Sequence, residues 1–299
     1  MSLSTKGSKV TRSYYKVHLK RKFAIFLILS AGILWSSGGF MIKVIPWSPF
    51  SIAGLRSGIA LLTLILLNRT IKIQLNENTI LGGFCYALMV IFFVGANKIT
   101  SAGNVILIQY TAPLYVAILS YVLLDEKPDP YDWITIFTLF FGLSFFFFDD
   151  LSFNQLWGNI FAILSSLGFA GTVISLRKQK ENKPINSIIV GNLFTFLICT
   201  PFYFDNLTIE LEAIYGILFL GIFQLGLAYY IYSHAIKYVT AVDASLYAAI
   251  EPVASPILAY LFLGEIMGRN SIIGGSIILF SIIIRAFFKE VFKKKVESQ

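Results

Sequence analysis

The sequence predicts an all-α integral membrane protein with ten transmembrane helices, arranged as two inverted five-helix repeats. Three observations predict this fold: the apolar composition, the spacing of the hydrophobic segments, and a correspondence between the two halves of the chain. Of 299 residues, 57% are hydrophobic and 13% are charged, and the mean hydropathy is +0.75. Soluble domains carry about 25% charged residues. This chain is therefore too apolar and too weakly charged to be one.

Ten apolar segments of about 17 to 25 residues are long enough to cross the hydrocarbon core of a bilayer. Charged residues, Gly or Pro bound each of them, and the connections are too short to hold a soluble domain. The first segment follows a basic stretch, as in a signal peptide, but its length predicts an uncleaved first helix. The predicted spans are 23–45, 50–68, 80–96, 102–124, 131–148, 155–176, 186–203, 213–233, 242–263 and 270–288.

The basic residues predict how these helices are oriented. Most of the 24 Lys and Arg fall at the two ends of the chain and in alternate loops, whereas the opposite loops contain Lys43, Lys98 and Arg269. The positive-inside rule assigns the basic side to the cytoplasm. We therefore expect a multi-pass protein of the inner (cytoplasmic) membrane with both termini cytoplasmic. This topology also explains the net charge of +8, so nucleic acid is not an expected partner.

Alignment of the chain with itself predicts the repeat. A shift of 139 residues aligns Gly82 with Gly221, Ala96 with Ala235, Ala102 with Ala241, Asn104 with Asp243, Pro113 with Pro252, and Glu126 with Glu265. A shift of 134 aligns Lys43 with Arg177 and Trp35 with Phe169. Five spans in each half place the second half in the opposite orientation, as in many secondary transporters.

The predicted parts are a basic cytoplasmic N-terminus (1–22), a first repeat (23–148), an external linker (149–154), a second repeat (155–288) and a basic cytoplasmic C-terminus (289–299).

The segment from Ala244 to Leu263 carries a carboxylate, Glu251, near its middle, together with Pro252 and Pro256. A charged carboxylate at the centre of a membrane helix costs roughly 2.5–3.5 kcal/mol, so such a residue usually belongs to a site. Pro252 cannot donate to the carbonyl of Ala248, nor Pro256 to that of Pro252, which frees two backbone acceptors. In a membrane such acceptors are tolerated only against protein or a wet cavity. Two interpretations of Glu251 stay open: binding of a substrate ammonium or a coupling proton, or a structural hydrogen bond to a neighbouring helix.

Several helix faces combine aromatic and polar side chains. Residues three or four apart share a face, so Asp243, Tyr247 and Glu251 form one stripe in the ninth span. Together these faces predict an aromatic-rich cavity with few polar groups, which is typical of a small-ligand pocket. The predicted substrate-binding residues are Glu251, Tyr247, Trp35, Tyr86, Gln224, Tyr110, Phe169, Asn104 and Tyr232.

A second set of residues is predicted to act in coupling or gating: Glu251, Asp243, Arg56, Pro113 and Pro252. Two of them have structural alternatives. Asp243 is placed to cap the N-terminus of the ninth span. Arg56 either binds a substrate carboxylate, or snorkels or pairs structurally. Glu126 and Glu265, at opposite ends of the bundle, are either gate or cap residues or solvated helix ends.

Each half carries a similar series of residues. The first has Ser101-Ala102-Gly103, Pro113 and Asp125-Glu126, and the second has Thr240-Ala241-Val242, Glu251-Pro252 and Gly264-Glu265. Together with Leu34-Trp35-Ser36-Ser37 and Leu55-Arg56-Ser57, they resemble the EamA domain of the drug/metabolite transporter superfamily over about residues 23–288. The resemblance implies ten helices in two inverted repeats and transport of small metabolites, often export of amino acids or related compounds. The first half has Ala112 where the second has Glu251, so the family pattern assigns Glu251 no role.

The expected function is secondary transport of small metabolites such as amino acids or amines, by alternating access and in the direction of export. The alternative within transport is uptake of a quaternary amine such as choline. The alternative of another class is a non-transporting membrane receptor or an intramembrane enzyme.

An enzyme is not predicted, because the sequence has no Ser-His-Asp set of plausible spacing, no phosphate loop, no His/Cys cluster and only two histidines. No cofactor or metal is expected; the expected partners are a small-molecule substrate, protons and the lipid bilayer, with monomer and homodimer both open.

Overall fold

A computed structural model describes residues 4–68, 73–146, 155–203, 210–263 and 268–297, and every regular element within these ranges is helical. The predicted linker 149–154 and Glu265 lie outside the described residues. The α-helices are α1 (Ser4–Trp35), α2 (Gly38–Val44), α3 (Pro49–Leu67), α4 (Glu77–Ile99), α5 (Ala102–Gln109), α6 (Ala112–Leu124), α7 (Pro130–Phe146), α8 (Leu156–Lys178), α9 (Ile185–Cys199), α10 (Leu211–Phe219), α11 (Ala228–Ala235), α12 (Ala241–Tyr247), α13 (Glu251–Leu263) and α14 (Arg269–Glu297).

Eight of the described helical segments are long and apolar enough to cross a membrane. They are Lys20–Val44, Pro49–Leu67, Glu77–Ile99, Ala102–Leu124, Leu156–Lys178, Ile185–Phe202, Leu211–Tyr238 and Arg269–Lys289. The remaining two predicted spans, 131–148 and 242–263, are also helical, but α7 has only 17 residues and a 3₁₀ turn, Ala248–Ile250, separates α12 from α13. The helical fold and its multi-pass character are thus confirmed, whereas the number ten stays a prediction.

Two helices break at corresponding positions. The fourth span is divided between α5 and α6, and the ninth between α12 and α13, in each case just before a proline, Pro113 or Pro252. Proline lacks the N–H of a continuing helix, and its ring clashes with the carbonyl four residues earlier. Both α5 and α12 begin with the same cap: the hydroxyl of Ser101 accepts from the amide of Asn104, and that of Thr240 from the amide of Asp243.

The core is formed where α4 packs on α8 and α9, and α3 packs on α9 and on a π-helical segment, Leu220–Leu227. Small residues permit these close contacts. A Cβ added at Gly168 of α8 would lie 2.7 Å from the amide nitrogen of Met89 and 2.9 Å from the carbonyl oxygen of Cys85. Both are backbone atoms of α4, so neither side-chain rotation nor a small shift relieves the overlap. The separation of α4 and α8 therefore depends on glycine at this position.

We expect Gly168→Ala to destabilise the protein, although alanine favours a helix over glycine by about 1 kcal/mol. The contact with the α4 backbone outweighs that gain. Gly39→Ala is the matched control, because a Cβ there would meet its nearest atoms, Asn97 Oδ1 and Ala102 Cβ, at 3.6 and 3.8 Å. Thermal unfolding in detergent should show a lower midpoint for Gly168→Ala and an unchanged or slightly higher one for Gly39→Ala. Equal midpoints for the two variants would contradict this packing argument.

Candidate functional site

A cavity of about 40 Å³ lies inside the bundle, between helices of both halves of the chain. Its walls are Trp35, Arg56, Met89, Val90, Phe93, Gln109, Tyr110, Phe169, Gln224, Leu225, Tyr229 and Glu251. A water molecule needs roughly 10–15 Å³ of such volume, so the cavity has room for only a few waters. A metabolite can enter only if the surrounding helices move apart.

Glu251 is the first residue of α13 and reaches the cavity directly after the 3₁₀ turn. Its side chain is partly exposed. The hydroxyl of Tyr110 lies 2.8 Å from Glu251 Oε2 and 2.9 Å from the carbonyl oxygen of Ala248. One hydroxyl proton serves one of these acceptors at a time. Tyr110 therefore connects the carboxylate to the interrupted backbone of the ninth span.

The freed carbonyls at the two helix breaks are satisfied in the same way. Pro252 frees the carbonyl of Ala248, which accepts from Tyr110. Pro113 frees the carbonyl of Gln109, which accepts from the Ser166 hydroxyl at 3.1 Å. Both acceptors are thus bonded to a side chain of another helix, as the membrane environment requires. The acceptor predicted at Ala248 is confirmed.

Arg56 is a buried cation in the same cavity, with 1% of its surface exposed. Its Nη1 donates to Gln224 Oε1 at 3.3 Å, and its Nε has no hydrogen-bond partner among the described residues. Within that part of the chain no carboxylate forms an ion pair with it. Snorkelling is excluded for Arg56, because a snorkelling side chain keeps its charged group in water.

The predicted aromatic wall is present and is centred on Trp35. Ring centroids of Phe169, Tyr229 and Tyr232 lie 6.0, 4.8 and 5.1 Å from that of Trp35. Tyr86 stacks edge-on against Tyr229 at 4.9 Å. Tyr86 and Tyr232 are fully buried behind the wall and do not line the cavity.

The π-helix explains why Tyr229 lines the cavity where Tyr232 was expected. Regular α-helical turns would place Gln224 and Tyr232 on one face. Hydrogen bonds from i to i+5 widen each turn of a π-helix. Each residue after the segment therefore points about where the preceding residue would point in a regular α-helix. Beyond Gln224 the cavity face therefore continues through Leu225 and Tyr229. Such segments occur often at functional sites.

Two predicted binding residues lie away from the cavity. Asn104, at the start of α5, donates to Asn159 Oδ1 and to Thr100 Oγ1 at 3.3 Å. Tyr247 is buried beneath Arg285, whose guanidinium lies 5.3 Å from the ring centroid. The predicted stripe through Tyr247 and Glu251 assumed an unbroken α-helix. Each residue of the intervening 3₁₀ turn rotates the chain by about 120° instead of about 100°, which takes the two side chains off a common face.

Asp243 belongs to a buried charge cluster at one end of the bundle, which we call the charged end. Its carboxylate accepts from Arg285 and, at 3.2 Å each, from Arg21 and Lys289. Arg285 also donates to Asp132 Oδ1 from Nη2 at 2.6 Å and from Nε at 2.9 Å. The cluster joins α1, α7, α12 and α14. The alternative of Asp243 as N-cap is wrong, because Thr240 caps α12.

A second set of contacts at the charged end surrounds Glu126. Its carboxylate accepts from Arg177 Nε at 2.6 Å and from the amide of Ala241 at 2.9 Å. Arg177 also donates to the carbonyls of Ile236 and Lys237 at 3.0 and 2.8 Å. Glu126 is therefore not simply a solvated helix end. It ties the end of α6 to α8 and to the start of α12.

Comparison with known proteins identifies the family. The profile of the EamA-like transporter family matches residues 22–148 and again residues 156–287. An uncharacterized transporter of Archaeoglobus fulgidus is 28% identical over 213 residues, which is 70% of this chain and 76% of that protein. The uncharacterized transporter YwfM of Bacillus subtilis is 22% identical over 276 residues, covering 88% and 93% of the two chains.

A solved crystal structure has the same fold, with a TM-score of 0.78 and 15% sequence identity. The match covers 90% of this chain and 98% of that one. The profile matches and the relatives named as transporters confirm the resemblance seen in the sequence, and they point to a transporter rather than an enzyme. The two profile matches together span most of the chain, which belongs to the EamA-like transporter family.

Proposed function

We propose that the chain is a secondary transporter of small metabolites such as amino acids or amines, which it exports by alternating access. The observation that carries the proposal is the position of Glu251: an intramembrane carboxylate at a helix break, facing a cavity lined by both halves. Residues of this kind usually mark substrate or ion pathways. Because the sequence contains no ATP-binding motif, transport would be driven by a proton or substrate gradient or would be facilitative.

The proposed architecture is ten helices in two inverted repeats, in the inner membrane. Matching caps at Ser101 and Thr240 and matching breaks before Pro113 and Pro252 support it. The family profile also matches once in each half. The positive-inside rule would place the charged end, and both termini, in the cytoplasm.

Alternating access requires that the cavity open to each side in turn. In this structure the charged end is held by the Asp243 cluster and by Glu126, which connect helices of both halves. Opening towards this end would separate these ion pairs, which is the gating role proposed for Asp243. The breaks before Pro113 and Pro252 would act as hinges, since they lack the hydrogen bonds of a continuous helix.

Uptake of a quaternary amine such as choline is the second candidate. The rings of Trp35, Tyr229 and Phe169, together with Glu251, favour a cation, because aromatic faces attract ammonium groups by roughly 0.5–2 kcal/mol each. The same rings accept primary amines, so they do not separate the two candidates by themselves.

Counterflow in proteoliposomes tests the proposal. Purified protein would be reconstituted with unlabelled compound inside, and labelled compound would be added outside. The panel contains the standard amino acids, their decarboxylated amines and choline. We expect time-dependent accumulation of at least one labelled amino acid or amine, absent from protein-free liposomes. Binding or chemical turnover without counterflow of any compound would refute the transport function and favour a receptor or an enzyme.

A further inference from the structure

Tyr110 lies in the break of the fourth span and bonds to the break of the ninth. Its backbone directly follows α5, where its amide closes the helix on the carbonyls of Ile106 and Ile108. Its side chain crosses to the 3₁₀ turn of the other half, where the hydroxyl is within hydrogen-bond distance of both Glu251 Oε2 and the carbonyl oxygen of Ala248. One side chain therefore joins the two places where the helices of the two halves are interrupted.

The two side chains of this contact replace alanines of the opposite half. The shift of 139 residues aligns Tyr110 with Ala249, and it aligns Ala112 with Glu251. Each half thus supplies one member of the pair at a position where the other half has only a methyl group. The freed carbonyl of the first break accepts from a serine hydroxyl, that of Ser166, instead. The contact is therefore a single link between the halves and has no symmetric counterpart.

The charge of Glu251 decides which acceptor the Tyr110 hydroxyl serves. An ionised carboxylate is the stronger acceptor, so the hydroxyl proton then points to Glu251 Oε2. The carbonyl of Ala248 keeps only the bond from the backbone amide of Glu251, which closes the 3₁₀ turn. A protonated Glu251 is itself a donor. It can donate to the Tyr110 oxygen, which leaves the hydroxyl proton for the carbonyl of Ala248.

The other charged or titratable groups around this contact are held elsewhere. The cavity wall and the ring behind it add Arg56, Tyr229 and Tyr232. Within the described residues, no hydrogen bond or ion pair joins them to Glu251. The helix α1 packs on the turn through Gly32, which has no side chain. The remaining groups on the packed helices belong to the charged end: Arg21, Asp243, Tyr247, Arg285 and Lys289.

Resting on the proposed function, we infer that Tyr110 is a positioning residue through which protonation of Glu251 controls the break in the ninth span. Protonation moves the hydroxyl proton onto the carbonyl of Ala248 and holds the 3₁₀ turn against the fourth span. Loss of the proton turns the hydroxyl to the carboxylate and releases the backbone of the turn, which can then move as a hinge. A proton bound at the cavity thereby changes the mobility of the two interrupted helices.

Hydrogen exchange of the ninth span tests this link without a substrate. Protein in nanodiscs would be exchanged over a pH series. The exchange rate of the peptide that contains the break, relative to the intrinsic rate at each pH, gives its protection. We expect the protection of the wild type to fall on the order of 5-fold as the pH rises, since the turn loses one hydrogen bond. Tyr110→Phe lacks the hydroxyl and should be weakly protected at every pH.

Glu251→Gln should show the opposite behaviour. Its amide is neutral at every pH and can donate to Tyr110 as the protonated acid does, so the break should be strongly protected throughout. A purely structural hydrogen bond would instead lower the protection in both variants. Tyr121→Phe is the matched control, because it removes a hydroxyl from an exposed tyrosine of α6, and it should follow the wild type.

The outcomes separate this link from the transport function. Protection that does not change with pH in the wild type, or that changes equally in Tyr110→Phe, would overturn the inference and leave transport intact. Absence of counterflow for every compound would refute transport, whereas the exchange of the ninth span would still decide whether Tyr110 links Glu251 to the break.

Discussion

Replacement of Arg285 by methionine should lower the stability of the protein, by at most roughly 3–5 kcal/mol, because two buried carboxylates lose their arginine partner and keep only Lys289 and Arg21. Asp132 and Asp243 are each 2% exposed, and Arg285 donates to both. Methionine fills much of the arginine volume, so a cavity contributes little to the loss. Thermal unfolding in detergent would measure the effect as a lower midpoint temperature.

Two further variants show whether the loss arises from charge. Arg269→Met removes an exposed arginine from the same helix and should change stability little. Combining Arg285→Met with Asp132→Asn removes one of the two carboxylates that lost the arginine, and it should restore part of the midpoint. If Arg269→Met and Arg285→Met unfold at the same temperature, the charge cluster does not stabilise the fold.

Local sequence rules predicted the freed carbonyl of Ala248, whereas the predicted spans 102–124 and 242–263 ran through both helix breaks. Proline lacks the backbone N–H donor, and its ring clashes with the carbonyl four residues earlier. Both effects are therefore local in the sequence. The freed carbonyl of Ala248 therefore followed from the sequence before its partner was known. That partner, Tyr110, lies 138 residues away, and only the packing of the fourth span against the ninth brings them together.

The residues that sequence reasoning misplaced lie beside departures from the ideal α-helix. Tyr247 was assigned to the cavity because the 3₁₀ turn before Glu251 was not anticipated. A regular α-helix would turn Tyr232 towards the cavity, whereas the π-helix turns Tyr229 there instead. Both departures shift the helical register, and apolar membrane sequences carry little local information about them. Gly221 and Gly226, which pack tightly against α3, are the only nearby signal.

The role of Asp243 depended on charges far away in the sequence. Its partners Arg21, Arg285 and Lys289 lie on two other helices, α1 and α14. Viewed alone, Asp243 is an aspartate near the start of a helix, and such a residue is commonly an N-cap. The choice between cap and ion pair needed the three-dimensional arrangement, because both roles use the same side chain at the same end of a helix.

Glu251→Gln should reduce the apparent affinity for a cationic or zwitterionic substrate on the order of 100-fold or more, since loss of one partner of a buried charge pair costs roughly 2–5 kcal/mol. Glutamine has nearly the same shape, and its amide oxygen can still accept from Tyr110. The fold and the helix break should therefore be retained. Concentration-dependent counterflow, compared between wild type and variant, measures the change.

The same variant separates the two interpretations of this carboxylate. If Glu251 also carries the coupling proton, transport by the wild type should depend on pH and transport by Glu251→Gln should not. Glu181→Gln is the matched control, since Glu181 is exposed and lies outside the cavity, and it should leave affinity and pH dependence unchanged. A variant at Glu251 that kept both properties would show that the carboxylate is structural, a hydrogen-bond partner of Tyr110 and no more. Because Gln preserves the shape of the side chain and can keep that hydrogen bond, the variant tests the role of the negative charge.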